Sequence, residues 1–269
     1  MLVVGVAAFA VSCSAPKTEA ASSATRAAST ATTPPVVQTS PSINALTGKL
    51  PPEVRRRILA APEQFLSLLK EVLAEPGAFV MLVDKKHALP AGYAPEDLVR
   101  LRDYDLSLNR KDLELRRVVM ADLLKMVHAA REQQVEPVLS STYRSYSYQK
   151  EVFAREVAQY GVAQAERESA RPGTSQHQLG TAIDFGSITE AFAATAAGRW
   201  LDAHAWEYGF SMSYPKGHEA LTGYKYEPWH FRYIGRSAAK MQHDYFGVQQ
   251  LLLVFLHDNR AALERIAGR

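Results

Sequence analysis

Apolar and polar positions divide the chain into three regimes. Residues 1–11 read MLVVGVAAFAV, an uninterrupted apolar run. Residues 14–44 are Ser, Thr, Ala and Pro with few large apolar side chains. From about Leu50 onward, apolar positions recur with helical or strand spacing. Pro51-Pro52-Glu53 opens a helix that carries Phe65, Leu68, Leu69, Val72 and Leu73 and ends at Glu75-Pro76-Gly77. Phe79 to Val83 is a short β-prone run, and Lys85 to Tyr93 reads as loop. Leu115, Val119, Leu123 and Val127 predict a long amphipathic helix over roughly 111–134. Strands are predicted at 135–140, 182–185 and 230–234, with helices at 148–160 and 190–208 and from 236 to the end, broken near Gly247. Residues 161–174 are polar, with Pro172-Gly173 marking a turn. Helices around a few short strands make the fold class α+β.

Composition removes several classes of function. The 269 residues are 47% apolar and 22% charged, ordinary for a soluble globular protein and incompatible with wholesale disorder, collagen or a multi-span membrane protein. A net charge of +3 without a dense Lys/Arg block argues against a nucleic-acid partner. The six apolar residues Leu251 to Leu256 are far too few to span a bilayer and read as a core face or a groove for a partner helix. One cysteine excludes a disulfide framework and any Cys-rich metal site.

That cysteine, Cys13, follows the first apolar run. The run would span about 16 Å as a helix, roughly half the hydrocarbon core, so it reads as the core of a secretory signal. Ala10-Val11-Ser12-Cys13 resembles a bacterial lipobox, which implies cleavage before Cys13 and lipidation of its thiol and new amino terminus. The Ser/Thr/Ala/Pro segment behind it buries too little to offset its ordering entropy. As a flexible tether it would reach about 30 Å.

Two imidazoles and one carboxylate, His177, Asp184 and His230, form a set suited to zinc with a position left for water. By spacing alone the set is unremarkable, because the chain has eight histidines and the three residues share no helix. His218 is the chief competitor as a ligand. Gly180 lets the chain turn between His177 and the strand of Asp184, where Ala182 and Asp184 share a face. Arg144 offers a planar fork suited to a carboxylate, and Gln149 sits where a helix should begin. Trp229 and Trp206 read as packing residues.

The whole pattern is more specific. Ser175-x-His177-x-x-Gly180-x-Ala182-x-Asp184, followed by Glu227-x-Trp229-His230, closely resembles the VanY-type D-alanyl-D-alanine carboxypeptidases and their L,D-carboxypeptidase relatives. Ser141-Thr142-Tyr143-Arg144-Ser145 with Gln149 is similar to the family's Ser-Gly-Tyr-Arg-Ser with a Gln five residues after the Arg. Leu82-Val83-Asp84 and Leu89-Pro90-Ala91-Gly92-Tyr93 resemble its domain entry. Thr142 replaces the common Gly, and Gln176 a frequent Glu. The resemblance implies zinc (Zn2+) on His177, Asp184 and His230, with Glu227 as general base. It also implies that Arg144, Gln149 and Ser175 contact the terminal residue of the substrate, with Arg144 facing either its carboxylate or the developing oxyanion.

The expected organisation is a signal peptide at 1–12, a lipid-anchored linker at 13–44, a helical segment at 45–78, a zinc carboxypeptidase domain at 79–246 and a C-terminal helix at 247–269. A small, mainly antiparallel sheet flanked by helices should carry the metal, as in the VanY/hedgehog-like zinc peptidases. The expected function is removal of the C-terminal D-alanine from peptidoglycan stem peptides by an exported lipoprotein anchored in the membrane. The alternatives are an L,D-carboxypeptidase acting on tetrapeptides, an endopeptidase or dipeptidase on the same scaffold, and a non-catalytic wall-binding lipoprotein.

Overall fold

The computed structural model describes residues 41–266. Its first helix, α1 (Pro41–Thr47), runs across the expected end of the linker at residue 44 and buries Ile43. The single N-terminal helix expected from the sequence is two, α2 (Pro52–Ala60) and α3 (Pro62–Ala74). Pro62 has no N–H to give to the fourth residue back and drives Ala61 out of helical geometry, to φ −142° and ψ 59°.

Residues 79–83 are not a strand. The carbonyls of Phe79 and Met81 instead accept from Nη2 of the fully buried Arg232, at 2.9 and 2.8 Å. The run is apolar because Phe79, Leu82 and Val83 are buried, while its backbone serves a guanidinium rather than a neighbouring strand.

The strands β1 (Leu98–Arg100), β2 (Ser107–Leu108) and β3 (Glu114–Arg116) precede helix α4 (Arg117–Glu132). The helix therefore starts six residues later than its apolar spacing predicts. Leu113 and Leu115 fit a period of two as well as one of four, and β3 is claimed by antiparallel pairing with β1. Next come β4 (Val138–Ser141), α5 (Tyr146–Tyr160) and α6 (Val162–Glu168). Helix α6 is absent from the sequence reading because only Ala165 is buried, so it has no apolar stripe. Then follow β5 (Ala182–Phe185), α7 (Ala196–His204), the short and unforeseen β6 (Phe210–Met212), α8 (Glu219–Thr222), β7 (His230–Tyr233), α9 (Arg236–Met241) and α10 (Gln249–Ile266).

The main sheet has the order β2-β4-β5-β7-β6, antiparallel except for the parallel pair β2–β4. Its alternation decides where the site lies. Ile183 and Phe185 of β5, with Phe231 and Tyr233 of β7, join Leu123, Met126 and Val127 of α4 in one core. The intervening residues Ala182, Asp184, His230 and Arg232 therefore project from the other face. A second core joins Val54, Ile58, Phe65 and Leu69 of α2 and α3 to Ile234, Phe246 and Leu252, Phe255 and Leu256 of α10, so the Leu251–Leu256 run is a core face. Among the described residues, no helix is long and apolar enough to cross a membrane.

Candidate active site

Three strands line up their chemistry. Across β4 and β5 Ser141 is paired with Asp184, and across β5 and β7 Asp184 is paired with His230. His177 arrives on a 3-10 turn, Gln176–Leu179, directly before β5. Ser175 caps that turn, its Oγ accepting from the His177 N–H at 3.3 Å, and Gly180 ends it in the left-handed region at φ +68°. A Cβ on Gly180 would stand 2.9 Å from Arg116 Cγ, so the turn needs glycine twice over, for its backbone and for its closeness to β3.

His177, Asp184 and His230, all buried, bring one ligand atom each to within 4.8 Å of one another. The ring nitrogens are already sorted for a cation. His177 Nδ1 lies 2.6 Å from the Thr142 carbonyl, which can only accept, so Nδ1 carries the proton. Its Nε2 is buried without a hydrogen-bond partner, 3.2 Å from Asp184 Oδ2. A buried lone pair aimed at a carboxylate is the arrangement a divalent metal resolves. His230 turns Nδ1 to Asp184 Oδ1 at 2.9 Å and Nε2 to Gln176 Oε1 at 3.2 Å. Burial, with the Arg144 charge nearby, lowers the His177 pKa to about 4, so the ring is neutral at pH 7. Burial alone would raise the pKa of Asp184, but the two imidazoles hold its carboxyl well below its ordinary value. Two imidazoles and a carboxylate fit zinc.

Glu227 lies one tight turn before β7, where the His230 N–H donates to its carbonyl at 3.1 Å, and its Oε2 is 3.8 Å from His230 Nδ1. Burial first, and then the Asp184 charge, raise its pKa well above the usual carboxylate value. Arg144 follows β4 and donates from Nε to Ser141 Oγ (3.1 Å), from Nη1 to Gln149 Oε1 (3.1 Å) and from Nη2 to Asp184 Oδ2 (2.9 Å). Arg144, Ser175, His177, Asp184, Glu227 and His230 all line one cavity of about 370 Å³.

Gln149 departs from its expected role as a direct substrate contact. It is fully buried and does not line the cavity. Its Oε1 holds Arg144 and its Nε2 donates to the Ala170 carbonyl at 2.8 Å, so it acts from behind the arginine. His218, the rival ligand, is exposed beside α8 and apart from the cluster. Cys13 lies outside the described residues. Trp229 lines the cavity as well as packing in the core. Nothing in the sequence points to Tyr214, whose ring lies 4.9 Å from that of His230, or to the Thr142 carbonyl that orients His177. No residue-type signal marks a backbone carbonyl. Gln176 stood out only as a departure from a pattern.

Residues 112–236 match the VanY family, described as D-alanyl-D-alanine carboxypeptidase. The chain is 42% identical over 183 residues to the putative carboxypeptidase YodJ of Bacillus subtilis, covering 65% of this chain and 66% of that protein. It is 32% identical over 200 residues to a D-alanyl-D-alanine carboxypeptidase of Enterococcus faecalis, covering 71% of each. Among solved structures, the LdcB LD-carboxypeptidase superposes with a TM-score of 0.60 at 37% identity, over 65% of this chain and 85% of that one. A variant of the vancomycin-resistance D,D-pentapeptidase VanY in complex with Zn(II) gives 0.56 at 31% identity, over 66% and 99%.

Proposed function

We propose, since this chain belongs to the VanY family of D-alanyl-D-alanine carboxypeptidases, that it removes the terminal D-alanine from peptidoglycan stem pentapeptides as a D,D-carboxypeptidase. Zinc carboxypeptidase activity comes with the family, and the choice of a peptide ending in two D-alanines is the proposed part. The observation that carries the reading is the convergence of a His–Asp–His group, a buried glutamate and an arginine on one cavity.

His177, Asp184 and His230 would hold zinc, which would supply a Lewis acid to acidify water and polarise a carbonyl. Glu227 takes the proton of the attacking water and returns it to the departing amine, work worth roughly 10²–10⁴ in rate. Its raised pKa suits a group that must both accept and give a proton. Arg144 spends three of its N–H groups on Ser141, Gln149 and Asp184. Two N–H groups are left for an anion in the cavity, the substrate's terminal carboxylate or the oxyanion. Ser175 borders the same space and completes the pocket for the terminal residue.

The likeness to LdcB favours a second reading, an L,D-carboxypeptidase acting on tetrapeptides. In either case we propose export and membrane attachment through lipidated Cys13, with residues 14–40 as tether.

The test uses the full-length chain, zinc-loaded, with muropeptide pentapeptide and tetrapeptide in separate reactions and products read by mass spectrometry. Loss of one alanine from the pentapeptide alone is expected. Loss from the tetrapeptide alone establishes the L,D reading instead, and cleavage of neither with zinc bound overturns both. Glu227→Ala, run alongside, should bind zinc and turn over neither peptide.

A further inference from the structure

Behind His230 lies a chain of buried polar groups that reaches the C-terminal helix. Its origin is the carbonyl of Ser211 on β6, an atom that can only accept. Gln249, the first residue of α10, donates to it from Nε2 at 3.1 Å. That bond fixes which way the Gln249 amide faces. Its Oε1 is turned to Ser213 Oγ at 3.2 Å and to Gln176 Nε2 at 3.5 Å. Gln176 is oriented in turn, because its Nε2 faces the Gln249 oxygen. Its own Oε1 therefore accepts from the Ser213 hydroxyl at 2.7 Å and faces His230 Nε2 at 3.2 Å. Flipping either amide would set oxygen against oxygen or nitrogen against nitrogen. Gln176, Ser213 and Gln249 are each no more than 2% exposed, so no solvent is at hand to absorb the mismatch.

The chain of orientations ends in a tautomer. An oxygen facing His230 Nε2 demands a hydrogen there, which leaves the Nδ1 lone pair pointing at Asp184. We propose that Gln249 is a positioning residue for the metal centre, fixing the donor nitrogen of His230 through Gln176. Gln249 lies beyond residue 236, where the family match ends, and outside every motif that marks the site. The C-terminal helix is thereby part of the metal site as well as of the second core. The inference rests on the reading of His177, Asp184 and His230 as the metal ligands.

Groups that orient a ligating imidazole typically cost 10- to 100-fold in metal affinity when removed. The experiment measures zinc affinity of the full-length chain by chelator competition, and the His230 Nε2–H resonance of the zinc-loaded, 15N-labelled protein. Gln249→Met keeps the side-chain volume and deletes the amide. It should weaken zinc binding roughly tenfold and speed solvent exchange of the His230 Nε2–H. The control is Gln250→Met, the adjacent glutamine on the same helix, whose amide bonds Asp84 at 2.7 Å and takes no part in the relay. It should change neither readout. Should Gln249→Met fail to fold, Gln176→Met cuts the relay one link nearer the ring and is read the same way. Zinc affinity and Nε2–H exchange both unchanged from wild type, with His177→Ala abolishing binding, overturn the positioning role and leave the metal site standing. Wild-type protein that binds no zinc overturns the metal site and the inference together.

Discussion

Glu227 stores a conflict that its chemistry needs. The carboxyl is buried beside the Asp184 carboxylate, and both facts raise its pKa. A group with a raised folded-state pKa contributes stability that is fully present below the unfolded value, near 4.5, and is lost as pH rises through the folded value. Above the unfolded value the metal-free protein therefore bears a cost for this carboxyl, either as a buried charge or as a proton it must take up on folding, and a neutral side chain would remove that cost. Glu227→Gln should raise the urea midpoint of the metal-free protein at pH 8, and the advantage should fade as pH falls towards 4.5. The same variant should lose two to four orders of magnitude in turnover, roughly the worth of a general base. Equal midpoints for the two proteins at pH 8 would show that Glu227 carries no such penalty.

The elements owe their usefulness to register. Pairing of Ser141 with Asp184 and of Asp184 with His230 puts one residue from each of three strands in a row, and a slip of one residue would turn the ligands into the core. The joint between the His177 turn and β5 is Gly180, which needs a left-handed backbone and has no space for a Cβ. Gly180→Ala should destabilise the protein by about 2 kcal/mol, combining left-handed strain with overpacking against Arg116. Gly92→Ala is the comparison, since nothing stands within 4 Å of its added methyl. It should stay within about 0.5 kcal/mol of wild type in urea melts. Similar losses for the two variants would refute the packing reason.

At the scale of the molecule, the folded part joins two apolar cores, one under the catalytic sheet and one formed with the N- and C-terminal helices. The site draws on both, since β5 and β7 belong to the first and Gln249 begins a helix of the second. The proposed attachment through Cys13 rests on acyl chains. A single chain binds marginally and two bind firmly. Protein extracted from membranes should therefore begin at Cys13 and carry a diacylglyceryl adduct, measured as intact mass. An unmodified thiol at Cys13 would overturn the anchor.

The sequence by itself determined the α+β class, the strands around Asp184 and His230 and, through the motifs around them, the three residues that the structure brings together as a His–Asp–His group. These are local statements, and side-chain type in a short motif carries them. It also predicted a helix at Lys111 and a strand at Phe79, where local patterns were ambiguous. A run of apolar residues is the same whether a strand or Arg232 takes its carbonyls, and Leu115 satisfies both periods. Helix α6 left no apolar trace because it buries almost nothing. Only the tertiary structure decided that Gln149 stands behind Arg144 rather than in the cavity, that the Thr142 carbonyl orients His177, and that a glutamine on the last helix meets Gln176, the partner of His230 Nε2. Each depends on groups well separated in the chain, Gln149 with Ala170, Thr142 with His177 and Gln249 with Gln176, meeting within 3.5 Å, and such hydrogen bonds are set by packing, which no periodicity along the chain records.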